Sequence, residues 1–125
     1  AILVGPLATI LVTTAALLLQ ALFLAHGGLS TLGADIVSMG LVGGLVGWLV
    51  FHGARRFGAP MGVAAFAAGL TSDWATYATT AFQLASALDV GTSMGASLRA
   101  LALGFAPTQV PLGVLEGMLC AGSLR

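Results

Sequence analysis

The chain has 125 residues, of which 58% are hydrophobic and 6% are charged, and its formal net charge is zero. An ordinary soluble domain carries about a quarter charged residues, because polar side chains must cover its outer surface. The composition therefore excludes a soluble globular domain and indicates that most of the surface faces lipid. The lack of a basic stretch argues against nucleic-acid binding, and the single cysteine, Cys120, excludes an internal disulfide.

The hydrophobic residues are grouped into four segments of roughly the length that a helix needs to cross a bilayer. In chain order, the predicted spans are residues 6–25, 36–51, 61–88 and 98–124. No internal repeat and no soluble domain separates them. The sequence thus predicts an all-α fold, a polytopic membrane helical bundle in which residues 1–125 form a single transmembrane domain.

The first span begins almost at once, after Ala1, with neither a methionine nor a basic segment before it. A secretory signal peptide would carry such a basic segment. We therefore expect no signal peptide, and we expect the chain to be the C-terminal portion of a longer membrane protein.

The second span is rich in glycine. Gly40 with Gly44, and Gly43 with Gly47, form two overlapping GxxxG pairs. Small residues at this spacing let the backbones of neighbouring membrane helices approach closely. These four glycines therefore predict helix packing.

The third span carries a polar stripe. Asp73, Thr76, Thr80 and Gln83 recur at helical spacing, with Tyr77 beside them. A charge at bilayer depth costs about 2.5–3.5 kcal/mol on insertion scales, so it normally faces the bundle interior. The stripe predicts either interhelical hydrogen bonds, the commoner role of Thr and Gln in membrane helices, or the lining of a polar pocket.

The last span carries a second polar face. Gln109, Glu116 and Cys120 recur at helical spacing with Gly113 between them, and Gln20 in the first span adds a further polar group. Glu116 has two readings: a group of the transport pathway, or a solvated residue near the membrane interface.

The last span also contains Pro107 and Pro111. Proline lacks the backbone N–H and either kinks or breaks a helix. We expect a kinked helix or two shorter helices here, which gives four to five transmembrane helices in total.

The arginines predict the orientation. Arg55 and Arg56 follow the second span and Arg125 ends the chain, whereas Arg99 is the one arginine expected on the other side. Because cytoplasmic loops carry the excess of arginine, the Arg55/Arg56 loop and the C-terminus are predicted to be cytoplasmic. His26, which follows the first span, is then predicted to face outward.

His26 itself has two interpretations, a polar residue at a helix end or part of a metal site. A neutral imidazole suits cobalt, nickel, copper and zinc ions. One imidazole does not form such a site, so the residue alone leaves the choice open.

Three motifs resemble one family in the same order along the chain. They are LLLQALFLAHGGLSTLGADIVSMGLVG at residues 17–43, SDWATYATTAFQLASAL at 72–88 and FAPTQVPLGVLEGML at 105–119. On these motifs the chain resembles the cobalt transport protein CbiM family, the substrate-binding components of energy-coupling factor transporters. Asp35 departs from the pattern, since the family usually has asparagine there.

The resemblance implies a function and a setting. The function is the substrate-specificity component for cobalt(II) uptake in a bacterial or archaeal inner membrane, feeding cobalamin biosynthesis. The implied partners are a transmembrane coupling component, cytoplasmic ATPase subunits and a small accessory membrane subunit. The chain itself is then no enzyme and holds no catalytic cofactor, since the partner hydrolyses ATP. Cobalt is the transported substrate.

The resemblance also implies that the primary metal ligands lie upstream of residue 1. His26 is then expected to orient ligands or to line the entry path, rather than to bind the ion directly. The polar core of the transport pathway is expected from the polar stripe and the second polar face: Gln20, Asp73, Thr76, Thr80, Gln83, Gln109 and Glu116.

Other functions stay open. A nickel component of the same family is the nearest, because the affinity order of divalent ions does not favour cobalt over nickel. A secondary ion-coupled carrier would use Asp73 as a titrating group. A membrane enzyme would use His26 with Asp73 or Glu116 as base and acid, and a purely structural subunit would bind no metal.

Overall fold

A computed structural model of the protein describes residues 1–23, 29–88 and 93–124. These residues form four long helices, which confirms the all-α prediction. They are α1 (Gly5–Phe23), α2 (Leu32–Arg56), α3 (Met61–Ala87) and α4 (Met94–Ser123). The predicted spans of 6–25, 36–51, 61–88 and 98–124 match these helices in number and order.

Helix α2 is not regular along its length. It begins with one α-helical turn, Leu32–Asp35, continues as a π-helix over Ile36–Gly43, and ends as an α-helix over Gly44–Arg56. In a π-helix each N–H bonds to the carbonyl five residues back instead of four, so the turn is wider. Such segments are rare and are found often at functional sites.

The turn between α2 and α3 has a local cause in the sequence. Gly58 adopts a left-handed φ of 82°, which glycine tolerates because it has no Cβ. The amide of Ala59 donates to Ala54 O at 3.0 Å, and the amide of Gly58 donates to Arg55 O at 3.1 Å, the pattern of a Schellman motif. Pro60 follows and α3 begins at Met61.

The helices pack largely in chain order, α1 on α2, α2 on α3 and α3 on α4. Helix α3 therefore lies between two partners, and it contributes more buried small residues than any other described helix: Ala64, Ala65, Ala68, Gly69, Ala81 and Ala85. Without water between the helices, close van der Waals packing of small residues is what holds them together.

Three of the described helices are long and apolar enough to cross a membrane, α1, α2 and α4. Helix α3 is not among them, because it carries Asp73 and a row of hydroxyl and amide side chains. The composition of α3 thus matches its central place in the bundle rather than a surface in lipid.

Of the two outcomes expected for the prolines, a kinked helix or two shorter helices, the division into two helices is wrong. Pro107 and Pro111 lie inside one continuous helix, α4. Both prolines are exposed. A membrane helix tolerates proline where hydroxyl side chains and neighbouring groups bond to the freed backbone groups.

Candidate polar site between the helices

Two residues of the polar stripe of α3 donate hydrogen bonds to α2. The Thr76 hydroxyl donates to Ser38 O at 3.2 Å, and Gln83 Nε2 donates to Ala34 O at 3.2 Å. Both acceptors are backbone carbonyls in the first half of α2. For these two residues the interhelical interpretation of the stripe is confirmed.

Ser72 is a third donor, one that the sequence pattern did not single out. Its hydroxyl donates to Gly43 O at 2.8 Å. Ser72 lies one turn before Thr76, so an extension of the stripe by four residues toward the start of α3 would have included it.

The four glycines of α2 pack against two different helices. A Cβ on Gly40 would lie 3.5 Å from Thr13 Cβ, and one on Gly44 would lie 3.2 Å from Thr9 Cγ2, both on α1. A Cβ on Gly47 would lie 3.2 Å from Ser72 Cβ on α3.

Gly43 is the tightest of the four, since a Cβ there would overlap Thr76 Oγ1 of α3. The overlapping GxxxG pairs therefore serve two interfaces, Gly40 and Gly44 facing α1, Gly43 and Gly47 facing α3.

Asp73 faces α4 instead of α2. A Cβ on Gly113 of α4 would lie 2.9 Å from Asp73 Oδ2 and 2.7 Å from Trp74 Nε1. Asp73 and Thr76 differ by about 60° around a helix, which is enough for two neighbouring helices to meet different members of the stripe. The single polar face expected from the sequence is therefore divided between two interfaces.

Two oxygen atoms near this second interface are left without donors. Asp73 Oδ2 and Gln109 Oε1 are buried and have no hydrogen-bond partner within the described part of the chain. A buried polar atom without a partner costs about 1–3 kcal/mol. Glu116 follows Gly113 by three positions on the same helix, about one turn later.

Tyr77 is a further polar side chain at this interface. Its hydroxyl lies 2.7 Å from Ala102 O and 3.1 Å from Leu101 O, and it donates its one proton to either carbonyl of α4. The ring packs edge-on against Phe105, with centroids 6.1 Å apart. Tyr77 therefore fixes α3 to the first half of α4.

Two further glycines, Gly69 of α3 and Gly117 of α4, pack α3 closely against the second half of α4, and neither was predicted to do so from the sequence. A Cβ on Gly117 would lie 2.8 Å from Phe66 O, and one on Gly69 would lie 3.0 Å from Cys120 Sγ. Gly113 and Gly117 have the same GxxxG spacing as the pairs in α2, which is the signal that would have revealed them.

An open cavity of about 450 Å³ lies beside this pair, with Ser72, Glu116 and Cys120 among its lining residues. Glu116 is exposed. The cavity lies in the half of the bundle that contains Arg55 and Arg56, the side predicted to be cytoplasmic.

The other predicted site residues are not brought into the cluster. Thr80 donates to Thr76 O at 3.0 Å within its own helix, and Gln20 is half-buried on α1. His26 lies outside the described residues. Over residues 1–23, 29–88 and 93–124, no group of three His, Cys, Asp or Glu side chains is placed to hold a metal ion.

A family model described as the cobalt uptake substrate-specific transmembrane region, CbiM, matches residues 1–125. The chain belongs to this family. It is 59% identical over 124 residues to the cobalt transport protein CbiM of Sorangium cellulosum, covering 99% of this chain and 55% of that protein. The resemblance noted from the three motifs is thereby confirmed.

Two further CbiM relatives agree. The cobalt transport protein CbiM of Geobacter sulfurreducens is 59% identical over 98% of this chain and 35% of that protein, and the one of Anoxybacillus flavithermus is 46% identical over 95% and 48%. The chain thus spans about half the length of these CbiM proteins, or less. The matched share does not locate the chain within them, so the expectation of a C-terminal portion is not borne out.

Membership of the CbiM family and the three apolar helices among the described residues together identify the chain as a membrane component of that family. The four packing glycines of α2 and the donors of α3 supply its scaffold. Asp73 Oδ2 and Gln109 Oε1 are buried oxygen atoms to which none of the described residues donates a hydrogen bond.

Proposed function

We propose that the chain is the membrane-embedded part of the substrate-specificity component of an energy-coupling factor transporter that takes up cobalt(II). The match of the CbiM family model to residues 1–125 supports this most directly. The names of the relatives, cobalt transport proteins, point to the same substrate. Cobalt taken up in this way would supply cobalamin biosynthesis.

The proposed mechanism contains no bond chemistry in this chain. The specificity component captures the ion, and a separate transmembrane coupling component with cytoplasmic ATPase subunits drives its release inward. A small accessory membrane subunit completes the complex. A scaffold held by close glycine contacts and neutral hydrogen bonds suits a subunit that moves as one body against its partners.

Within this mechanism, His26 would orient the primary ligands or line the entry path of the ion. Asp73, Gln109 and Glu116 are the residues that we assign to the transport pathway. Asp73 Oδ2 and Gln109 Oε1 are buried and have no donor among the described residues, and Glu116 lines the open cavity; ionisable side chains within membrane spans mark ion pathways. Thr76 and Gln83 belong to the scaffold, since their donors are used by α2.

Radioactive cobalt uptake in cells that express the complete transporter tests the proposal. The account predicts accumulation that needs the ATPase subunits, survives a protonophore and is lost on ATP depletion. Uptake that collapses with the protonophore but survives ATP depletion would instead identify an ion-coupled secondary carrier.

Competition with nickel in the same cells separates the two metals. Cobalt uptake should persist in the presence of equimolar nickel. Faster uptake of nickel than of cobalt would assign the chain to the nickel components of the same family.

A further inference from the structure

The three donors of α3 that bond α2 lie on one face of their helix. Thr76 and Gln83 follow Ser72 by four and eleven positions. At about 100° per residue, the three side chains fall within about 40° of one another around the axis of α3. They form a straight row of donors, called here the donor row, which is Ser72, Thr76 and Gln83.

The acceptors of the donor row would not share a face in a regular α-helix. Ala34 and Gly43 are nine positions apart, and at about 100° per residue their carbonyls would point about 180° away from each other. Yet both accept a hydrogen bond from α3, as Ser38 does between them.

The π-helical segment Ile36–Gly43 removes this conflict. Its i→i+5 hydrogen bonds make each residue turn through a smaller angle than in an α-helix. The carbonyls of Ala34, Ser38 and Gly43, spaced by four and then five positions, can then point to the same side. The three hydrogen bonds from the donor row therefore depend on the wide turn, and they in turn stabilise it.

The residues in the segment would permit a change of winding. Ser38 is 1% exposed, yet its side chain is small. Gly40 and Gly43 have no side chain at all, so the closest contacts to α1 and α3 are made by backbone. A change of winding would therefore move no bulky side chain at these two contacts, and three of the larger side chains of the segment, Val37, Met39 and Leu41, are exposed, at 42%, 48% and 45%.

We propose that Ile36–Gly43 is a conformational switch in α2. Its wide-turn form is stabilised by the hydrogen bonds from the donor row of α3, and it adopts a regular α-helical form when those hydrogen bonds are broken. The change to the regular form rotates Leu32–Asp35 relative to Gly44–Arg56 by on the order of 100°. The use of this rotation in moving an ion rests on the proposed function, whereas the existence of the two forms does not.

Spin-label distances in the full-length protein in lipid nanodiscs test the switch. One label replaces Gly33 in the first turn of α2, and the other replaces Gly95 at the start of α4, with the remaining cysteines removed. Neither position has another group within 4 Å of an added Cβ. The two labels lie at the same end of the bundle, so a rotation of Leu32–Asp35 changes the distance between them.

The test variant removes the donor row, as Ser72→Ala, Thr76→Val and Gln83→Leu together. It should shift the distance by roughly 5 Å or more, since a helix with its side chains is about 10–12 Å across. The matched control is Thr71→Val, Thr79→Val and Ser86→Ala, whose hydroxyls bond within α3. The control should give the wild-type distance.

Single variants decide the matter if the triple variant does not fold. Thr76→Val should add a second distance to the distribution, and Thr76→Ser, which keeps the hydroxyl, should not. A wild-type distribution in Thr76→Val overturns the proposal, as does one in a folded triple variant. The measurement uses no cobalt, so its failure would leave the proposed uptake function untouched.

Discussion

At the scale of single residues, the polar side chains of α3 and α4 fall into two groups, those with a hydrogen-bond partner on another helix and those without one among the described residues. Ser72, Thr76 and Gln83 donate to carbonyls of α2, which satisfies both partners. Asp73 Oδ2 and Gln109 Oε1 are buried acceptors to which the described residues offer no donor. The first group explains how the helices hold together. The second has no role in that packing.

Neutral replacement of the two carboxylates of the proposed ion pathway, Asp73 and Glu116, tests whether they serve transport. Asp73→Asn and Glu116→Gln should each lower cobalt uptake about tenfold, a change of about 1.4 kcal/mol, because each removes a charge from the proposed ion pathway while keeping the size of the side chain. The measurement is the initial rate of radioactive cobalt uptake, normalised to the amount of protein in the membrane.

Thr79→Val is the matched control for these two variants. The Thr79 hydroxyl donates within its own helix, to Ala75 O at 2.8 Å, so its loss should leave uptake near the wild-type rate. Uptake at the wild-type rate in both carboxylate variants would remove Asp73 and Glu116 from the transport pathway.

At the scale of elements, the helices and their packing glycines could be predicted because both depend on local sequence. Apolar segments of sufficient length predict the spans, and the GxxxG spacing of α2 predicts close packing whichever helix is the partner. The choice of partner could not be predicted. Gly40 faces α1 and Gly43 faces α3, and that choice depends on how three helices cross.

The wide turn in α2 could not be predicted for the same reason. Nothing in the residues of Ile36–Gly43 alone excludes a regular α-helix. The wide turn is needed only because three carbonyls of α2 must face the donor row of α3, and that row lies about forty positions later in the chain. Likewise, helical spacing predicted which polar residues of α3 lie near one another. It could not predict that some of them contact α2 and others contact α4, because that depends on the tertiary packing.

Two glycine substitutions in α2 test the packing of this element. Gly43→Ala should destabilise the protein by about 1–3 kcal/mol, because the new Cβ would overlap Thr76 Oγ1 and a filled core resists added volume. Gly53→Ala adds a Cβ where no other group lies within 4 Å. It should instead stabilise the helix by about 0.5–1 kcal/mol.

Thermal unfolding of the purified full-length protein in detergent measures both changes. The midpoint should fall for Gly43→Ala and rise slightly for Gly53→Ala. A rise in both variants would show that Gly43 lies in open space and that α2 does not pack on α3 as described.

At the scale of the whole molecule, the least expected feature is the position of the most polar helix. Helix α3 has α2 on one face and α4 on another, and Asp73 lies near the middle of its length. The other three helices are apolar enough to face lipid. The bundle thus places its polar helix between apolar ones, which keeps the carboxylate away from the hydrocarbon.

The central claim is therefore that α3 crosses the membrane with the others. Labelling of single cysteines with a membrane-impermeant maleimide tests this directly in the full-length protein. The variants are Gly33→Cys in the first turn of α2 on the predicted outer side, Phe57→Cys in the turn between α2 and α3, and Leu88→Cys directly after α3. Phe57 is 94% exposed and Leu88 is 50% exposed. The account predicts that positions 33 and 88 react in intact cells and that position 57 reacts only after the cells are permeabilised. Reaction of positions 57 and 88 from the same side would contradict it.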